Sequence, residues 1–421
     1  MRPPRTAILL TGIALAGAAI AGLGLSCKKS DPGGPAPPSS AASTSTAASP
    51  DELPPPKTRR RTTSGEIAIG NLGAQIQSLQ TVLTTAPDPA AKRRLKLIDL
   101  LATRGEMAGR IADLEAAAEM AEALVKDVPD KPEPYVTRAS MRAALHRFDE
   151  AWTDLDEAER RGAPAADTRG TRVSILAARG RLEEALALAN EARKEQPGIH
   201  TIGIVAALLG ELDRRADAIA AFREAFESSS DTSPFPVAWL FFRQGQFWER
   251  EGLKDLAMAY YQAAHERLPA YAHAAAHLAR LAPADRAEAL LKPLLATCDD
   301  PEIDSVLAEK LKERGDTAGA QAHAAKAAAR YEELVGRHPA AFADHAAQFW
   351  LDAGGDPKKA LDLAKRSLTA RKTPKAYELA VLSALSAGDR KAACELGTEG
   401  LGLPGTTSMF REIVKGACEP R

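Results

Sequence analysis

From about residue 132 onward the chain returns to the same short pattern with a period of roughly 34 residues, and that period constrains its fold more than any other feature. The pattern is a glycine followed five residues later by an alanine inside a helical run. Gly180-Arg181-Leu182-Glu183-Glu184-Ala185-Leu186 is one copy, and Gly252 with Ala257, Gly315 with Ala320, Gly355 with Ala360 and Gly388 with Ala393 repeat the spacing. Asp149-Glu150-Ala151-Trp152 and the stretch from Ala216 to Ala225 continue the register without the glycine. Glycine tolerates the backbone of a tight turn, alanine lets two helix backbones approach, and the prolines at 164, 197 and 269 end helices. A unit of this length cannot bury its apolar face alone, so copies must stack on one another. Asp213 and Ala284 stand where the turn glycine is expected, and Pro293 falls inside a helical stretch, which predicts distorted units there.

Over about 130–407 the pattern resembles the tetratricopeptide repeat family. The resemblance implies an all-α fold, a helix-turn-helix solenoid wound into a superhelix, with a concave groove lined by the first helix of each unit. In that family the groove holds peptides or extended segments of partner proteins. Counting back from each alanine puts Trp239, Phe242, Gln246, Tyr271, Phe342, His345 and Phe349 on groove positions. Aromatic residues are only 5% of the chain, so their gathering in the middle and C-terminal units points to a binding surface, the alternative being rings packed between units. The Lys/Asn/Arg clamp with which some members hold chaperone tails is absent: Val136, Ser140, Gly170 and Ser174 occupy corresponding positions.

The N-terminus reads as an export signal. Arg2 and Arg5 precede an apolar run from Ala7 to Leu25, which ends in Ser26-Cys27. Gly24-Leu25-Ser26-Cys27 resembles the lipobox of bacterial lipoproteins, although that family favours leucine where Gly24 stands. The resemblance implies a lipid on Cys27 and a place in the bacterial cell envelope, on the outer membrane by the identity of Lys28. Cleavage to a soluble secreted or periplasmic protein, or retention of the run as an inner-membrane anchor, are the alternatives. Residues 1–27 are then the signal and 28–64 a disordered Pro/Ser/Ala-rich tether. Residues 65–131 form N-terminal helices with a divergent first repeat, 132–232 and 238–407 two halves of the array separated by a loop around Ser228 to Pro234, and 408–421 a capping helix.

With 55 basic and 56 acidic residues the net charge is −1, which argues against a nucleic-acid partner. There is no phosphate-binding loop, no nucleophile elbow and no Cys-x-x-Cys. His273 and His277 lie four apart on one helical face, but no third ligand is evident in the sequence, so no metal, cofactor or catalytic residue is expected. Cys394 and Cys418 lie near one another on predicted neighbouring helices and are a candidate disulfide in an oxidising compartment. The expected function is therefore a non-enzymatic scaffold that offers its groove to a protein partner. The alternatives are a pilotin-like assembly factor for an outer-membrane machine and a peptidoglycan- or glycan-binding envelope protein.

Overall fold

Most of the helical hairpins among the described residues are closed by the same backbone device, and that device sets the architecture. In the computed structural model, which describes residues 62–228 and 232–419, the amide of Arg181 bonds the carbonyl of Leu176, that of Leu253 bonds Trp248, that of Asp316 bonds Leu311 and that of Asp389 bonds Ala384, each at 2.9 Å. These six-to-one bonds need a left-handed residue inside the loop, and Gly180, Gly252, Gly315 and Gly388 supply it with φ between 76° and 87°. His146 (φ 54°) and Asp213 (φ 62°) adopt the same conformation in other hairpins. Polar residues of these types enter that region more readily than β-branched ones.

Among the described residues the result is all-α. A first helix, α1 (Gly65–Thr85), precedes nine antiparallel hairpins. They are α2 with α3 (Lys92–Ala108, Ile111–Asp127), α4 with α5 (Pro132–Ala144, Phe148–Arg160), α6 with α7 (Ala165–Ala178, Leu182–Glu195) and α8 with α9 (Ile199–Glu211, Arg215–Glu227). Then follow α10 with α11 (Pro234–Arg250, Lys254–Arg267), α12 with α13 (Ala272–Leu281, Ala284–Leu291), α14 with α15 (Pro301–Glu313, Thr317–Arg337), α16 with α17 (Pro339–Leu351, Pro357–Ser367) and α18 with α19 (Pro374–Ser386, Arg390–Leu401). The last helix, α20 (Ser408–Cys418), covers α19, to which the Cys394–Cys418 disulfide joins it. This is the tetratricopeptide-type helix-turn-helix array: each hairpin packs on the next, and first helices meet directly at α2–α4, α4–α6, α8–α10, α12–α14, α14–α16 and α16–α18.

The repeated alanines sit at the crossings. Ala151, Ala185, Ala218, Ala257, Ala360 and Ala393 are completely buried, and in the units of Ala151, Ala218, Ala257, Ala320 and Ala360 a second small residue two turns on (Ala158, Ala225, Ala264, Ala327 or Ser367) is also enclosed. Ala284 has no left-handed turn before it, because Ala282 and Pro283 are extended, and Pro293 ends α13 early in a 3-10 turn, Lys292–Ala296. The loop expected near Ser228 to Pro234 does not break the interior: one hydrophobic core runs from Val173 on α6 to Leu278 on α12. The signal segment, Cys27 and almost all of the tether lie outside the described residues. Among those described, no helix is long and apolar enough to cross a membrane.

The array does not remain open. Its second half winds back over its first, and pairs such as Cys298 with Gly109 and His146 with Ala340, 189 and 194 residues apart, bond directly. One superhelical turn therefore takes about five and a half 34-residue repeats. The seam is regular. Gly109, His146, Gly180 and the Gly210–Glu211 end of α8 meet, in that order, Cys298–Asp300, the first turn of α16 at Ala340, Lys372 and Gly405. Asp299 shows how specific the fit is. The N-terminus of α3 has no side-chain cap of its own, and the Asp299 carboxylate supplies one from the other turn, accepting from Ile111 N at 2.5 Å and Ala112 N at 3.1 Å. The Gly109 carbonyl accepts in return from the amides of Asp299 and Asp300, each at 3.1 Å. Beside it, Glu115 binds Arg337 at 2.7 Å and His338 at 2.9 Å.

Candidate functional site at the seam between turns

Winding the array this tightly turns its concave side into an interior. Trp239 and Phe242 keep only 7% of their surface, Tyr271 2% and Phe349 1%. Trp239 packs against His200 and the bare backbone of Gly203. Phe242 lies among Tyr261, Tyr271 and His277, with centroids 5.2–5.7 Å away, and Phe349 packs against Tyr331. These four rings are core, not a groove lining. The sequence reading assumed an open concave face, and the closed superhelix covers it. Gln246, Phe342 and His345 remain half-buried: Gln246 accepts a 2.7 Å hydrogen bond from Arg243, and Phe342 and His345 lie near each other beside the His146 contact.

What the closed interior concentrates is charge. α14 begins at the loop that Gly109 holds, with Asp300 as its N-cap, Pro301 in its first turn, and the Glu302 amide donating to Asp300 Oδ1 at 2.9 Å. That start aims Glu302 back at α12. There Glu302 accepts from Arg280 at 2.7 Å and pairs with His273 Nδ1 at 3.1 Å. One turn along α12, His277 Nδ1 pairs with Glu249 at 3.1 Å, and the Tyr261 hydroxyl donates to the same carboxylate at 2.6 Å. His273 and His277 thus serve different carboxylates and converge on no common point. The groups around His273 that sequence reasoning missed, Asp300 and Glu302, come from the next hairpin. The only local signal for them was the Asp-Pro-Glu start of a helix. The donor atoms of His273, Asp300 and Glu302 all lie within 4.8 Å of one another, a spacing that fits a metal ion.

The electrostatics follow from enclosure. Burial alone would lower the His273 pKa, but the hydrogen bond and charge of Glu302 outweigh it and raise it to about 9. Burial pushes Glu106, on α2, up to about 8, offset only in part by His273 and Arg243. Glu249 goes the other way: burial opposes its charge, but His277 and Tyr261 hold it at about 2. Burial lowers Lys375 to about 8, and burial with Arg371 nearby lowers His146 to about 4. For stability the sign is set by which state holds more protons. His273 and Glu106 both have folded pKa values above their unfolded ones, so between about pH 6.5 and 8 the folded chain binds the extra protons. Stability is expected to fall as pH rises through that window. Above pH 8 the loss continues through His273, while Lys375, whose folded value is depressed, begins to offset it. Urea midpoints at pH 6.5, 7.2 and 8 should decline in that order; a flat or rising series contradicts the assignment.

No family model matches the chain, and no curated protein matches it. Solved structures do. The crystal structure of yeast Tom70 aligns over 84% of this chain and 93% of its own, at 16% identity and a TM-score of 0.35. A human IFIT1 dimer with PPP-AAAA aligns over 79% of this chain and 78% of its own, at 15% identity and a TM-score of 0.43. The APC/C hetero-tetramer Cut9-Hcn1 aligns over 84% and 94%, at 14% identity and a TM-score of 0.31. The repeat assignment rests on this chain's own hairpins and their register.

Proposed function

We propose that this chain is a non-enzymatic protein-interaction scaffold, held at a bacterial envelope by a lipid on Cys27. The observation that carries the reading is how the ionisable interior is used. Glu302 is spent on Arg280 and His273, Glu249 on His277 and Tyr261, and Asp344 on Arg371. Side chains committed to one another in this way brace a shape rather than attack a substrate. Partner contacts then fall to the outer surface, made by the second helices and the ends of the coil, and not to the buried aromatic positions. A near-neutral chain favours a protein partner over nucleic acid on that surface. The export-type N-terminus and the Pro/Ser-rich stretch after Cys27 support a tethered location.

Two experiments test the two halves of this reading. Cys27→Ser is expected to move the protein from the membrane to the soluble fraction on cell fractionation; full retention in membranes contradicts lipid anchoring. Photo-crosslinking side chains at Leu401 and Met409, the exposed apolar residues of the C-terminal end, are expected to capture a protein partner in living cells, whereas one at Phe242 is not. Capture of glycan alone, or capture from Phe242 and not from the surface, overturns the scaffold assignment.

A further inference from the structure

We infer that His273, Asp300 and Glu302 form a binding site for a divalent first-row metal ion at the joint between the two turns. Their donor atoms lie within 4.8 Å of one another, and His273 Nδ1 is 3.1 Å from Glu302 Oε2. Two ligands of one ion, each bonded at about 2.0–2.2 Å, are separated by roughly this distance. Both carboxylates are also held from behind: Arg280 binds Oε1 of Glu302 at 2.7 Å and the Glu302 amide binds Oδ1 of Asp300 at 2.9 Å, outer contacts that orient ligands. Oε2 of Glu302 and Nδ1 of His273 bond each other, so an ion enters by displacing the proton between them.

A second observation comes from the other turn. Glu106, half-buried on α2, feels the charges of His273 and Arg243. The helix that carries it packs directly against α12. The three converging donors, His273, Asp300 and Glu302, carry the site; Glu106, when ionised, adds negative charge to it from the opposing turn. One nitrogen and two carboxylate donors suit Zn²⁺ or Mn²⁺ better than the all-oxygen shells of Mg²⁺ and Ca²⁺. The Cys298 thiol is directed elsewhere, donating to the Gly109 carbonyl at 3.2 Å. An ion held by α12 and the start of α14 would fix the loop that the Gly109 carbonyl of the first turn grips.

The rival reading is an ion-pair network complete without metal, and titration separates the two. The full-length protein, stripped with EDTA, is titrated with ZnCl₂ by calorimetry and melted with and without the ion. One Zn²⁺ per chain and a raised Tm are expected. Asp300→Asn keeps the helix cap, since asparagine caps as well as aspartate, and is expected to weaken binding at least tenfold and to abolish the Tm rise. His273→Asn should do the same, while Asp304→Asn, at the separate His323 pair, should leave binding unchanged. Absence of binding to the wild type, or equal affinity in the wild type and Asp300→Asn, overturns the site.

Discussion

Gly405→Ala is expected to be the most damaging single methyl that can be added to this chain. A Cβ at Gly405 would lie 1.8 Å from the Glu211 carbonyl oxygen, in the other turn of the superhelix, and Gly405 itself has φ 78°. The methyl cannot be fitted by rotating a side chain, because the obstructing atom is backbone. Either the loop before α20 or the end of α8 must move, and both are held by the Arg250 guanidinium, which donates to the carbonyls of Gly210 and Gly405. Left-handed strain and the lost bonds together suggest a cost of about 3–5 kcal/mol. The fold supplies its own control. Gly388 has nearly the same backbone, φ 79°, but a Cβ there meets nothing within 4 Å. Gly388→Ala therefore carries only the conformational strain, about 1 kcal/mol. Gly180→Ala should approach the Gly405 value, since its Cβ would lie 2.3 Å from the Lys372 carbonyl oxygen across the same seam. Urea midpoints ordered Gly405→Ala and Gly180→Ala far below Gly388→Ala are the expected result. Equal losses at all three would mean that the turns do not touch.

Arg280→Ala is the second large effect. Arg280 and Glu302 each keep only 8% of their side-chain surface. Removing the guanidinium strands Glu302 in the interior, close to Glu309, whose pKa burial already raises to about 7. Breaking a buried pair from one side costs about 3–5 kcal/mol, mostly the penalty of the charge left behind. Two consequences separate this mechanism from a simple loss of packing. Adding Glu302→Gln to Arg280→Met should recover much of the loss, because neither variant side chain is charged. The gap to wild type should also shrink in acid. Glu302 in the wild type is held well below the usual carboxylate range, with burial opposing and Arg280 and His273 prevailing. Its stabilisation is present above about pH 4.5 and is lost as pH falls, so the variant has less to lose.

Local features of this fold were legible in the sequence and long-range ones were not, for a physical reason. The glycine–alanine spacing reports a turn and a helix crossing within one hairpin, and the structure places Ala185, Ala257 and Ala393 at zero exposure in those crossings. Asp213 was seen to replace a turn glycine; His146 was not, because histidine in a left-handed turn leaves no compositional mark. The seam joins residues some 190 apart through backbone carbonyls and a trans helix cap, and no periodicity encodes that Asp299 will bind Ile111. The misplacement of Trp239, Phe242, Tyr271 and Phe349 follows from the same gap. An inward position in an open superhelix is a groove, and in a closed one it is core. Likewise His273 was paired with His277 along one helix, whereas its carboxylates arrive from the next hairpin and from the opposing turn.

The contact between turns is tested most directly by a covalent link across it. Ala112 N and the Asp299 carboxylate are 3.1 Å apart in space and 187 residues apart in the chain, so cysteines at the two positions are expected to come within disulfide reach. In a Cys298→Ser background, Ala112→Cys combined with Asp299→Cys should oxidise to an intrachain disulfide. The closed loop of that size should run visibly faster on a non-reducing gel and return to normal mobility with reductant. A folded double variant that forms no such link under oxidation would show that the two turns stand apart, and the closed superhelix would be wrong.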